Sequence, residues 1–300
     1  MVAVSAILMY GVRECANQAG PPALNLSVRY VDFDGDDLGT RDTSLSVYAF
    51  EGAEKIDELE AYPIDFHYDP DAVKAQLIAR GKRFEEHAGM HFRSYEGIAL
   101  ESAGRCMNRY NIDGRVVVDT KTFHRMNANL AFSVSAYKSE EEKRAKRRRV
   151  NRDDSDDEDT NRDTSGLLPG KKFKLDPLTD EQRLMTNATV RGFSFSEKRW
   201  LDFFLDQLSP IDWNPNCFDQ LVLPEAQKDT VKALVSTHSE QKLGFDDIVK
   251  GKGKGLILVL HGPPGVGKTL TAETVAEYCK RPLYMVSLPT VRVFSSVSVR

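Results

Sequence analysis

Eight consecutive residues near the end of the chain, Gly262-Pro263-Pro264-Gly265-Val266-Gly267-Lys268-Thr269, fit the phosphate-binding pattern G-x-x-x-x-G-K-[ST]. They constrain the fold more than any other stretch, because such a loop needs a strand to deliver it and a helix to receive it. The apolar run Leu256-Ile257-Leu258-Val259-Leu260 reads as a buried parallel strand. Beyond the loop, Ala272, Val275, Ala276 and Cys279 fall at helical spacing, and Glu273 and Glu277 face the other way. The glycines allow backbone N–H groups to close on phosphate oxygens, and the helix directs its positive end at them. Lys268 would reach the β- and γ-phosphates of a triphosphate, and the Thr269 hydroxyl would hold Mg²⁺. The competing reading is a glycine-rich turn that binds nothing.

The expected class is α/β, with a small β-rich α+β domain ahead of the phosphate loop. A length of 300 residues suggests two domains, and 41% hydrophobic residues suffice for real cores. A net charge of −4 gives no global attraction to nucleic acid. Cys15, Cys106, Cys217 and Cys279 lie far apart without a C-x-x-C pair, which fits a reducing, intracellular setting rather than a disulfide framework or zinc site. Residues 1–23 read as a frayed or truncated start, with a signal peptide as the alternative. No later stretch has the length and apolarity of a membrane span.

Residues 24–138 read as one domain. Leu26, Val28, Tyr30, Val31 and Phe33 form a strand pattern ended by the turn Asp34-Gly35-Asp36-Asp37. Leu45, Val47 and Ala49 give a second strand, and Ile64 and Phe66 a third. Asp69 caps a helix with Pro70 at its first position. Tyr95, Ile98 and Leu100, then Val116, Val117 and Val118, read as further strands, with Asp113-Gly114 as a turn between them. His87 and His91, four apart, could hold a metal on a helix, but Gly89 intervenes and no glutamate base accompanies them; a polar helix end is the simpler reading. The acidic turn 32–37 lacks the spacing of a calcium loop.

Residues 139–177 form a charged linker, expected to be disordered. Its basic run, Lys143-Arg144-Ala145-Lys146-Arg147-Arg148-Arg149, reads either as a nuclear-import signal, placing the chain in nucleus or cytoplasm, or as a solvated linker. An acidic run from Asp153 to Asp159 follows, and Ser155 within it suits an acidophilic kinase. Nucleic-acid binding is disfavoured by that acidic run and the lack of interleaved aromatics. Residues 178–250 read as a helical lead-in. One helix is expected over 196–208, rich in Trp200, Phe203 and Phe204, and another opens at Pro224-Glu225 with Val231, Leu234, Val235 and His238 on one face. Residues 251–300 hold the phosphate loop.

The chain resembles AAA-type (AAA+) ATPases of the sort abundant in filamentous fungi. The resemblance is carried by Val190-Arg191-Gly192-Phe193-Ser194, Lys198-Arg199-Trp200, Phe218 to Leu223, Phe245-Asp246-Asp247, Gly251 to Leu256, Gly262 to Glu273 and Arg281-Pro282-Leu283-Tyr284. The front domain resembles the uncharacterised domain that precedes such modules, through residues 30–35 and 110–116. The resemblance implies ATP and Mg²⁺ as cofactors, with Gly262, Pro263, Pro264, Gly265, Val266, Gly267, Lys268, Thr269 and Leu270 around the nucleotide. It also implies ATP hydrolysis coupled to remodelling of a protein or complex, in a homo-oligomeric ring. After Ser287 the family pattern stops, and the Asp-Glu strand, sensors, arginine finger and helical lid do not follow. The expectation is therefore an incomplete P-loop module, truncated after this loop: hydrolysis-deficient, with strand 256–260 left without sheet neighbours. The alternative is an interaction protein using the front domain and charged linker, with a vestigial ATPase part.

Overall fold

A computed structural model describes residues 7–15, 23–103, 106–137, 177–214, 216–240 and 256–286. The chain divides into two compact units, Met1–Ser209 and Pro210–Arg300. Among the described residues no helix is long and apolar enough to cross a membrane.

The first unit is built on two antiparallel sheets. Strands β1 (Leu8–Cys15), β2 (Ala23–Phe33), β3 (Leu38–Tyr48) and the two-residue β6 (Ser135–Ala136) form one, in the order β1-β2-β3-β6. The start is not frayed at β1, whose residues pair with β2 from Leu8↔Arg29 to Cys15↔Ala23 across one bulge. The β2–β3 hairpin forms as the sequence indicates. Asp34 Oδ1 accepts from the backbone N–H of Asp36 and Asp37 at 3.1 and 2.8 Å, and Gly35 takes φ +102°. Strands β4 (His91–Ala103), β5 (Cys106–Val118), β7 (Thr189–Ser194), β8 (Arg199–Phe204) and β9 (Leu208–Ser209) form the second sheet. In it β4 pairs with both β5 and β8, so four strands close on themselves. Residues 113 and 114 are not a turn but lie within β5, opposite Glu96 and Tyr95. Ile64–Phe66 is a 3-10 turn, not a strand.

Helix α1 (Pro70–Glu86) starts where its cap places it, with Asp69 Oδ1 accepting from Ala72 N at 3.0 Å. It buries Leu77, Arg80, Gly81 and Phe84. Its Gly81 meets Arg183 of α3 (Asp180–Leu184) so closely that a Cβ would fall 2.6 Å from the Arg183 Cβ. Arg183 in turn bonds Glu85 and Asp180, each at 2.8 Å.

The expected helix over 196–208 is a correction. The residues form the strand β8 and a 3-10 turn, after a hairpin turn where Lys198 takes φ +55°. Leu201, Phe203 and Leu205 alternate into the core, each at most 1% exposed, and Trp200 points the other way against Phe193 at 5.3 Å. Two apolar faces serve two contacts, and each fully buried side chain contributes about 1.5–3 kcal/mol. Residues 177–209 thus fold with the first unit, where the sequence grouped them with the second half. They are tied to β2 by Val31 N→Met185 O at 2.8 Å and Asn187 N→Val31 O at 2.9 Å. The basic run 143–149, Ser155 and the acidic run lie outside the described residues.

The second unit contains helices α4 (Glu225–Glu240) and α5 (Lys268–Tyr278), packed on Cys217, Phe218 and Leu221. Val235 is buried on α4, Val231 partly so, and Leu234 is exposed. Residues 256–260 form no strand, because no described residue offers them a ladder. Their side chains alternate between half-exposed and open, with Ile257 88% and Val259 87% exposed.

Candidate functional site: a glycine loop ahead of helix α5

The glycine loop ends where α5 begins, and its backbone is set by two left-handed residues. Gly265 takes φ +83° and Gly267 φ +84°, a region that costs a side-chain-bearing residue about 1–2 kcal/mol. A Cβ on either would meet nothing within 4 Å. The glycines are thus there for backbone conformation, and the space beside them is open to a ligand. Gly267 is the N-cap of α5, and the first N–H groups of a helix have no partner within it. They form a cradle of donors at the positive end of a helix, which suits a polyanion.

Lys268 is the first residue of α5 and folds back over the loop, where Nζ donates to Gly262 O at 2.9 Å and Pro263 O at 2.6 Å. The ammonium therefore sits on the loop's own carbonyls, at the mouth of the cradle. Thr269, Val266 and Leu270 are exposed next to it. The helix is anchored from its other face. Thr271 and Thr274 are the buried residues, their hydroxyls bonded back to Gly267 O and Leu270 O at 3.0 and 2.8 Å. Ala272, Ala276 and Cys279, expected on that face, are only partly covered. Threonines that satisfy their own hydroxyls can take core positions, which apolar spacing alone does not reveal. Further along, Cys217 Sγ donates to Thr274 O at 3.4 Å, and Phe218 meets Tyr278 edge-on at 5.1 Å. The loop 262–267 thus stands open beside Gly265 and Gly267, while Thr271 and Thr274 pack the far face of α5.

The histidine pair of the first unit is used differently. His87 Nδ1 lies 2.6 Å from Arg83 O, and Nε2 accepts from Arg93 Nε at 3.0 Å. Both nitrogens are committed to the protein, which fixes the Nδ1–H tautomer. His91 Nε2 lies 3.2 Å from Ala88 O. Burial, before any other cause, pushes both imidazoles below the usual histidine range. Among the described residues no three His, Cys, Asp or Glu side chains come together as a metal site.

Sequence reasoning missed a buried ionic cluster in the first unit. Asp32, 1% exposed, accepts from both terminal guanidinium nitrogens of Arg191, and Arg41 lies 3.8 Å from it. Asp202 lies 3.7 Å from Arg191 Nε. Burial raises the Asp202 carboxyl, while Arg191 lowers it. The available signal was Arg191 inside an apolar strand, where a charge needs a partner.

Known proteins match both ends of the chain. Residues 258–299 match the model of the ATPase family associated with various cellular activities (AAA). Residues 5–68 match a domain of unknown function, DUF7025. The chain is 33% identical over 112 residues to a Lon protease of Salinispora arenicola, covering 32% of this chain and 14% of that protein. It is 38% identical over 112 residues to a mitochondrial Lon protease homolog of Yarrowia lipolytica, covering 35% and 9%. A Lon protease of Leptospira interrogans is 32% identical over 131 residues, covering 41% and 15%. The chain thus spans a small fraction of the length of these relatives. No solved structure matches it. The matches support an AAA+ ATPase segment behind a β-rich front region, within a mixed α/β fold.

Proposed function

We propose that the chain binds ATP through residues 262–270, as the phosphate-binding part of an AAA-type ATPase. The observation that carries this reading is the pair of left-handed glycines, Gly265 and Gly267, open on their Cβ side and set directly before α5. Lys268 leaves the Gly262 and Pro263 carbonyls to meet the β- and γ-phosphates, and Thr269 offers its hydroxyl to Mg²⁺. The metal, when bound, neutralises phosphate charge. Hydrolysis additionally needs a carboxylate that orients the attacking water. Helix α5 itself carries Glu273 and Glu277, and Glu277 accepts from Asn214 N at 3.3 Å. The family reading assigns such a module to ring-shaped remodelling of a protein or complex.

The test is calorimetric titration of the intact polypeptide with ATP, with and without Mg²⁺, beside a phosphate-release assay. Mg²⁺-dependent binding that disappears in Lys268→Ala supports the reading. Absence of binding in the wild-type chain, or equal binding by the variant, refutes it.

A further inference from the structure

Phe132 lies beneath two guanidinium groups, with Arg41 4.1 Å and Arg191 4.3 Å from its ring centroid. The ring belongs to residues 131–137, a strap over the β2–β3 hairpin. Val134 N donates to Asp34 Oδ2 at 3.2 Å, Ser135 and Ala136 pair with Thr40 and Gly39, and Tyr137 N donates to Leu38 O at 3.2 Å. One more contact comes from α2 (Thr120–Met126). The His124 ring meets Phe132 edge-on, 4.6 Å between centroids at 77°.

His124 has room for one ring proton only. Its Nε2 is buried and makes no hydrogen bond among the described residues. A buried nitrogen without an acceptor is best left unprotonated, so the neutral ring keeps its proton on Nδ1. The charged groups facing the ring are Arg191 of β7, Asp34 of the hairpin turn and Asp32 of β2. A second proton, on Nε2, would create a cation without an acceptor and close to Arg191.

We propose that neutral His124 is the catch of this strap, and that a proton on its Nε2 turns the ring away from Phe132 and releases residues 131–137 from the hairpin. Burial first, and Arg191 second, hold this imidazole below the usual histidine range, so release belongs to mildly acidic conditions. Released, the strap exposes Arg41 and Arg191 on the side that Phe132 covers.

The test is amide exchange of the intact chain at about pH 7.5 and about pH 5.5, corrected for intrinsic exchange. The amides of Val134, Ser135 and Tyr137 should lose about tenfold in protection at the acidic pH, while the β7–β8 ladder keeps its own. In His124→Asn, which keeps a polar side chain and cannot titrate, strap protection should be equal at both pH values. His87→Gln should leave the wild-type response intact. Unchanged strap protection in the wild type, or an acid loss that persists in His124→Asn, overturns the proposal. If His124→Asn does not fold, the wild-type ring resonances decide: titration of His124 over the range of strap release supports the catch, and titration outside it refutes it.

Discussion

Arg191 holds both carboxylate oxygens of Asp32, at 3.0 and 3.1 Å, across 159 residues of sequence. The pair joins β2 of one sheet to β7 of the other, and its carboxylate is buried. Removing one partner of a buried pair strands the other's charge. Asp32→Asn should cost about 3 kcal/mol, the lower end of the usual range, because Asp202 and its charge stay near Arg191. Replacing both, as Asp32→Leu with Arg191→Met, should restore part of that loss. Urea midpoints of the wild type, Asp32→Leu, Arg191→Met and the double variant test this, and additive losses would show that the pair is not coupled.

The strands supplied by 177–209 make a second prediction. Polypeptides 1–149 and 150–300, expressed together, should co-purify as one particle, since β7 pairs with β5 and residue 31 bonds residues 185 and 187. Separate elution on a sizing column would contradict the assignment of these strands to the first unit.

At the glycine loop, Gly267→Ala should separate conformation from charge. Its added methyl meets no atom within 4 Å, so the cost is the left-handed backbone alone, about 1–2 kcal/mol. If the free variant loop relaxes out of that conformation, it must return to bind, and ATP affinity falls by up to about thirtyfold; if it stays, the same cost lowers stability instead. Lys268→Ala should cost about 1.5–3 kcal/mol of charge-assisted bonding, roughly tenfold to a hundredfold in affinity. Calorimetric titration of both variants checks this order.

Stability should depend on pH through His87 and His91. Both are held below the ordinary value, chiefly by burial, so the unfolded chain takes up their protons first as pH falls. Their contribution is complete above the unfolded value of about 6.5 and declines as pH drops toward the folded values. Urea midpoints at about pH 7 and about pH 5 should therefore differ, and His87→Gln should reduce the difference. An unchanged slope in that variant would exclude His87 as a source.

Where local chemistry decides, the sequence was readable. Asp69 and Pro70 mark the start of α1, and Asp34 and Gly35 mark the first hairpin, because a cap and a turn act within three or four residues. Residues 262–270 were legible as a glycine loop ahead of a helix for the same reason. The strand β8 was not: Trp200, Leu201, Phe203 and Phe204 satisfy helical and alternating spacing alike, and only contacts with Phe193 on one side and the core on the other separate them. The Asp32–Arg191 pair had no local signature, since its partners lie in different strands of different sheets. The apolar run 256–260 reads as a strand in isolation, yet a strand exists only with a neighbour to bond.

The chain leaves the first unit after Tyr137, beside β3, and returns to it at Leu178, whose N–H bonds Glu85 of α1. Both ends of the charged stretch are therefore fastened to one body. A stretch that begins and ends on one body closes a loop on it and does not connect two bodies. A single cut between residues 138 and 177 therefore leaves both parts of that body joined through the pairing of β5 with β7.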